Sequence, residues 1–468
     1  MRNSESEKRD RDRDRDVAAS SSSSEEDSAE QPEPVRLQRP WWLPHFLGRV
    51  PIGLEQRHVN LVGVVALAGF FESYDLSVLS AALKQIRESF ELSQSEMTGL
   101  LAWVRLGAIP AFLILPLADR FGRRRVYLAA ILGMSLATLA SAFAETTIQF
   151  IAIQTIARTF VVATIATATV IIAEELPAEH RGWGIGMLGA IGSFGYGFGA
   201  LLYAFVEWIP FGWRALYIVG GLPLFLMPML RRRITETKRF EEGRREAIEN
   251  ERNEGKGGFV QPLISLFREY PRRSLAVAAM GFSVSVGTGP AFGLLSDFVQ
   301  TTHGWEPSSY SLMALVAGMV GIIGNPAMGW AADRAGRRPI AMVAFGLFPL
   351  IAFALYFGPS IAIAFIWMPF VFILTGGNVI MRTVTSELFP TSSRNTAMGL
   401  ETLSETLGAA VGFALVGWFT VEDSSIAPAA VAMSLFTFLG VFVFWCLPET
   451  ARRELEVTSQ ALPPKARS

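Results

Sequence analysis

The chain has 468 residues, 51% of them hydrophobic and 18% charged, with a mean hydropathy of +0.35 and a formal net charge of -1. That balance excludes a charge-driven nucleic-acid partner, and the apolar excess argues against a string of soluble domains. A single cysteine, Cys446, and four histidines leave no disulfide framework and no metal-spaced His/Cys cluster, and no nucleophile–base set marks an enzyme.

In chain order, residues 1–40 come first. They run from MRNSESEKRD through alternating RDRDRDRD to a serine run, too polar to bury a core, so a disordered cytoplasmic tail is expected. Trp41 and Trp42 mark the approach to a membrane interface. Twelve runs then approach the roughly 20 apolar residues that a span requires. They fall at about 58–82, 98–118, 126–144, 147–173, 185–207, 213–230, 274–297, 308–331, 339–357, 361–385, 396–419 and 428–447. The first six form a block over 41–230 and the second six a block over 274–450. A charged cytoplasmic linker over 231–273 separates them, and a tail over 451–468 closes the chain. The expected fold is an all-α membrane protein with twelve transmembrane helices in two pseudo-symmetric six-helix bundles.

Basic residues set the orientation. The loops after spans two, four, eight and ten carry DRFGRRR, EHRGW, DRAGRR and SSRN, whereas those after spans three, seven, nine and eleven hold no Lys or Arg. Both termini are therefore expected in the cytoplasm of a multi-pass protein of the plasma (inner) membrane.

The halves repeat. LADRFGRRR recurs as AADRAGRR, with Asp333 following Asp119 by 214 positions. EELPAEHRG recurs as SELFPTSSRN, with Arg394 following Arg181 by 213, and ITETKRF recurs as LPETARRE, with Glu449 following Glu236 by 213. On these motifs the chain resembles the major facilitator superfamily over roughly residues 55–455, closest in pattern to its metabolite:proton symporter and sugar-porter branches. The resemblance implies a duplicated bundle that transports by alternating access. It also implies a cytoplasmic gate built from Asp119, Arg120, Gly122, Arg123, Glu175 and Arg181, repeated as Asp333, Arg334, Gly336, Arg337, Glu387 and Arg394. The glycines suit tight turns, and opposite charges at one face can lock and release two halves.

Charges inside the spans point to the centre of the molecule. At 1.5 Å per helical residue, Glu72 and Asp75 lie about 21 Å and about 25 Å into span one. Arg105 and Arg158 lie about 21 Å and about 24 Å above the cytoplasmic ends of spans two and four. Shared depth allows mutual neutralisation, which buried charges require. A carboxylate released from its arginine takes up a proton, so these four residues form a proton-coupling cluster with Asp75 foremost. Either Arg158 or Arg105 can serve as its partner.

The second half offers small polar groups instead. Ser285, Asn325, Thr375 and Asn378, with Tyr74 from span one, are the candidates to line a substrate cavity. Glu401 and Glu405 share a face of span eleven, near Arg382 on span ten, where an ion pair is expected. Glycines at 186, 189, 192 and 195 give span five a flat stripe for close helix packing. The expected function is proton-coupled symport of a small organic anion or metabolite by a monomer, with no cofactor beyond the proton gradient. The alternatives are a neutral sugar or polyol symporter, an exporter, and a membrane sensor or assembly subunit on a transporter fold.

Overall fold

A computed structural model of the chain describes residues 40, 42–43, 50–112, 114, 118, 121–234, 236, 260–420 and 425–451. The expected tail up to residue 39, the linker over 237–259 and the tail beyond 451 lie outside the described residues, as do Asp119 and Arg120 of the gate. By contact the chain divides into Met1–Val59 and Asn60–Ser468. In the first unit, the Glu55 N–H donates to His58 Nδ1 (3.3 Å) where the first helix begins.

Everything that follows lies in the second unit, apart from the first turn of that helix. The spans are helices because a long apolar run can satisfy its backbone polar groups internally only in that form, and two of them begin at side-chain caps. Span one is Gln56–Ala81, continued after Ala82 by Leu83–Ser89. Span two starts at Gln94 with a capping box in which Ser93 and Glu96 satisfy each other's backbone N–H groups, and Gly107–Pro110 breaks its helix after Leu106. Arg123–Ser141 is span three. Thr147–Glu175, span four, has a second capping box from Thr146 and Gln149 and ends before Pro177. Arg181–Tyr203 and Trp213–Arg233 are spans five and six.

The second half follows the same plan. Spans seven and eight are Pro271–Gly293, continued by Leu295–Thr302, and Pro307–Ala335, each with proline in its first turn where a missing N–H costs nothing. Arg337–Phe357, Ser360–Leu388 and Thr391–Phe419 are spans nine to eleven, and Ala427–Cys446 is span twelve. Among the described residues, nine helices are long and apolar enough to cross a membrane by length and composition. Spans two, three and eight complete the set of twelve.

The repeat extends to the breaks and the closest contacts. Span one breaks at Ala82 and span seven at Leu294; span six breaks after Gly220 and span twelve after Ser434. A Cβ on Gly195 would fall on the Phe70 carbonyl of span one, and one on Gly408 would fall on the Phe282 carbonyl of span seven. Gly199 and Gly412 repeat the approach one turn on. Backbone-to-backbone packing of this kind needs residues without side chains. In span five it occurs at 192, 195 and 199, whereas Cβ atoms at Gly186 and Gly189 would meet nothing within 4 Å. The expected stripe is therefore shifted one turn or two toward the helix end.

Candidate functional site: a charged cavity between two unlike faces

At the face carrying the D-R-x-G-R-R loops, the sequence repeat is a repeat in space. Gly122 has φ 103° and Gly336 φ 104°, a region that residues with side chains avoid, and each turns the chain into the next helix. Arg123 then pairs with Glu174 (Nη2 to Oε1, 3.1 Å), and Arg337 with Glu387 (Nη2 to Oε1, 3.2 Å). Asp333 adds a second carboxylate to Arg337 from one turn back. Glu236 accepts from the Arg124 N–H at 3.1 Å, and Glu449 from the Arg337 and Arg338 N–H groups at 2.8 and 3.1 Å. Each thus places a carboxylate on the positive end of a helix, span three or span nine. Arg181 and Arg394 donate to the Leu176 and Ser386 carbonyls at the ends of spans four and ten. Arg334 lies 3.9 Å over the Trp330 ring. The Arg123–Glu174, Arg337–Asp333 and Arg337–Glu387 pairs at this face each join two residues of one half.

One gate assignment changes. The acid equivalent to Glu387 is Glu174, not Glu175. ELFP in the second half holds one more residue between Glu and Pro than ELP in the first, so matching on the Glu-Leu pair slips the register by one. Glu387 follows Glu174 by 213, the period of the other motifs.

The opposite face is built differently, from bonds between the halves. Arg87, at the end of span one, donates from Nε to Asp297 Oδ1 on span seven at 3.0 Å and from Nη2 to Thr301 at 3.2 Å. Gln94 donates to the second oxygen of Asp297 at 3.2 Å. Gln85 Nε2 donates to Gln300 Oε1 at 2.9 Å, and the Tyr203 hydroxyl stands 2.8 Å from Gln85 Oε1 and 2.9 Å from Gln300 Oε1, bridging them. Ser296 donates to the Ala81 carbonyl and Ser95 to the Gly417 carbonyl, both at 2.6 Å. Asp297 is 2% exposed, so the pair is shielded from solvent.

Between these faces lies a cavity of ≈ 340 Å³. Glu72 of span one, Arg105 of span two and Arg158 of span four face Ser285, Thr288 and Phe292 of span seven, Asn378 and Arg382 of span ten, and Thr402 and Glu405 of span eleven. Three arginines and two carboxylates line it. Among the described residues, Arg105 and Arg158 make no hydrogen bond or ion pair: Arg105 lies 5.7 Å over the Phe413 ring, and Arg158 Nε is buried without a partner. Arg382 and Glu405 form a loose pair at 3.8 Å.

Of the expected coupling residues, Glu72, Arg105 and Arg158 meet at this cavity, with Asp75 buried behind it. The direct pairing does not occur. Asp75 Oδ1 instead accepts from the Thr138 hydroxyl of span three at 2.9 Å, and Glu72 Oε2 from Ser73 at 3.1 Å. Each acid thus takes a hydroxyl as its partner in place of an arginine. Ser285 and Asn378 line the cavity as expected. Two candidates do not. The Tyr74 hydroxyl is committed to the Leu216 carbonyl of span six at 2.7 Å, and Thr375 bonds back to Val371 of its own helix at 2.9 Å. The Asn325 side chain lies outside the described residues. Sequence reasoning missed the whole Arg87–Asp297 network. The available signal was the one acid in FGLLSDFVQ together with Arg87, which lies with Lys84 in the loop after span one, a basic loop on a face whose loops after spans three, seven, nine and eleven hold no Lys or Arg.

A duplicated helical bundle with a polar cavity between its halves and a lock on one side defines a secondary transporter. The chain belongs to the Major Facilitator Superfamily, whose family model matches residues 65–381 and 274–467. It is 24% identical over 438 residues to the 4-hydroxybenzoate transporter PcaK of Pseudomonas aeruginosa, covering 85% of this chain and 95% of that protein. To the cis,cis-muconate transport protein of Acinetobacter baylyi it is 25% identical over 391 residues, covering 80% and 90%. Among solved structures, the inward open xylose transporter XylE from E. coli superposes with a TM-score of 0.68 at 18% identity, over 86% of this chain and 99% of that one. The relatives are transporters, not enzymes.

Proposed function

We propose that this protein is a proton-coupled symporter that brings a small organic anion across the plasma (inner) membrane as a monomer, with both termini in the cytoplasm. The observation that carries the reading is the pair of unsatisfied guanidinium groups, Arg105 and Arg158, in a cavity with one more arginine than carboxylates. An uncompensated cation in a low-dielectric site attracts a carboxylate strongly, and arginine can grip it with two parallel bonds. The two relatives named above support it, since 4-hydroxybenzoate has a ring and cis,cis-muconate an open chain, and the carboxylate is what they share.

Coupling follows from the position of Asp75, which with Glu72 feels the charge of Arg158. Counting Asp75 with the cavity's charges gives three positive and three negative. A proton on Asp75 leaves one positive charge in excess, so proton and anion each favour the other's binding. With the D-R-x-G-R-R loops in the cytoplasm, the locked face is the outer one and the protein is inward-facing. No cofactor is required beyond the gradient.

The test is uptake into proteoliposomes under an inward acid gradient, with 4-hydroxybenzoate, cis,cis-muconate and xylose as probes. Accumulation of a carboxylate and not of xylose is expected. Asp75→Asn is expected to abolish accumulation while exchange persists, and Arg158→Gln to lose both. Accumulation of xylose alone, or of a carboxylate unaffected by Asp75→Asn, would contradict the reading.

A further inference from the structure

We propose that Glu401 is a second proton-binding residue, set in the C-terminal half and reached from the central cavity by way of Glu405. The inference rests on the proton-coupled reading above. Glu401 lies ten residues into span eleven, about 15 Å from the start of its helix. It is 1% exposed, and neither carboxylate oxygen has a hydrogen-bond partner among the described residues. An ionised carboxylate kept in that setting without bonds is costly, so the position suits a group that can take up and surrender a proton.

Its surroundings define the route. Span seven closes one side, where a Cβ on Gly281 would meet the Glu401 carbonyl oxygen at 3.1 Å. From span ten the Thr385 hydroxyl, itself buried, faces the carboxylate without completing a bond. The charged groups that act on Glu401 are Glu405, one turn along its own helix, and Arg382 of span ten. Arg268 and Glu269 of the linker helix Val260–Glu269, Arg273 of span seven and Arg105 of span two belong to elements packed on span eleven but are not among them. Glu405 lines the cavity 3.8 Å from Arg382. A proton arriving from the cavity on Glu405 moves to Glu401: one O–H bond breaks, one forms, and Arg382 pairs with the Glu405 carboxylate left behind.

The duplicated architecture does not call for these acids. One period of 213 earlier stand Leu188 and Gly192, and the counterpart of Asp75 at 288 is Thr288. The two proton sites therefore occupy non-equivalent places, one in each half.

Infrared pH-difference spectra of the full chain in liposomes test this with the proton itself as probe. Wild type is expected to show a protonated-carboxyl C=O band that Glu401→Gln removes, Glu401→Asp displaces in frequency, and Asp75→Asn leaves in place. A Glu401→Gln spectrum that keeps every carboxyl band of wild type would overturn the proposal. If that variant does not fold, an undisplaced spectrum for Glu401→Asp would overturn it equally. Failure of the symport reading is separate, because it appears as carboxylate accumulation unaffected by Asp75→Asn whatever the Glu401 band does.

Discussion

The two faces of this molecule use charged residues for opposite purposes. At the signature-loop face, Arg123–Glu174 and Arg337–Glu387 tie helices within one half, and their geometry repeats almost residue for residue. At the other face, Arg87–Asp297 and Gln85–Gln300 tie one half to the other, and their residue types do not repeat: the counterpart of Arg87 is Gln300 and that of Asp297 is Lys84. Intra-half bonds survive any rocking of the halves, so they keep each bundle rigid in every state. Inter-half bonds exist in one state only, so they set its population. Conserving shape and choosing a state thus fall to different ends of the same helices.

The sharpest way to break that contrast is Arg87→Ala. It strands Asp297 as a buried, unpaired charge, a change that costs about 3–5 kcal/mol. The cost falls on the locked state alone, so the variant is expected to melt earlier and to trap label at the opened face. Arg337→Ala removes charge-assisted bonds worth about 1.5–3 kcal/mol each. Because those bonds persist in both states, lower thermal stability is expected without a matching change in accessibility, and differential scanning fluorimetry beside labelling separates the two. Gln300→Leu cuts neutral bonds across the halves, worth about 0.5–1.5 kcal/mol each. A several-fold rise in labelling at the locked face is expected, with stability nearly unchanged.

The smallest effect belongs to the capping box that starts span two beside the lock. Ser93→Ala is expected to cost about 0.5–2 kcal/mol of stability. There the Ser93 backbone N–H, then its hydroxyl, hold the Glu96 carboxyl below the usual carboxylate range. A lowered value means that its contribution is present at neutral pH and lost as pH falls through the folded value. The gap between wild type and Ser93→Ala in melting temperature should therefore narrow in acid.

What was legible in the sequence follows the same divide. The repeated loops could be read because their chemistry is local: a glycine for a turn, an arginine and an acid at fixed offsets. The slip from Glu174 to Glu175 comes from one extra residue in ELFP; the period of 213 selects Glu174, as does its pairing with Arg123. Asp297 was hidden for another reason. It closes an apolar run, and its partner Arg87 lies 210 positions away in the other half, with no motif to link them. The equivalence of Gly195 and Gly408 was legible in principle, at a spacing of 213, but the glycine run of span five extends to residues 186 and 189, where a Cβ would meet nothing within 4 Å. Tyr74 misled because a polar tip beside a buried acid resembles a cavity residue, whereas its hydroxyl satisfies the backbone of span six. Depth along a helix can be counted from sequence; the direction a side chain faces depends on which neighbour arrives.

The central claim is that the Arg87–Asp297 network holds one face shut while the cavity opens to the other. The direct measurement is labelling of Thr288→Cys, in a Cys446→Ser background, by a membrane-impermeant maleimide applied to the locked face, with and without Asp297→Asn. The account predicts slow labelling with Asp297 intact and at least a tenfold rise in Asp297→Asn, the ratio that about 1.4 kcal/mol of lost closure produces. Equal rates in the two proteins would contradict it and reduce the network to a surface contact.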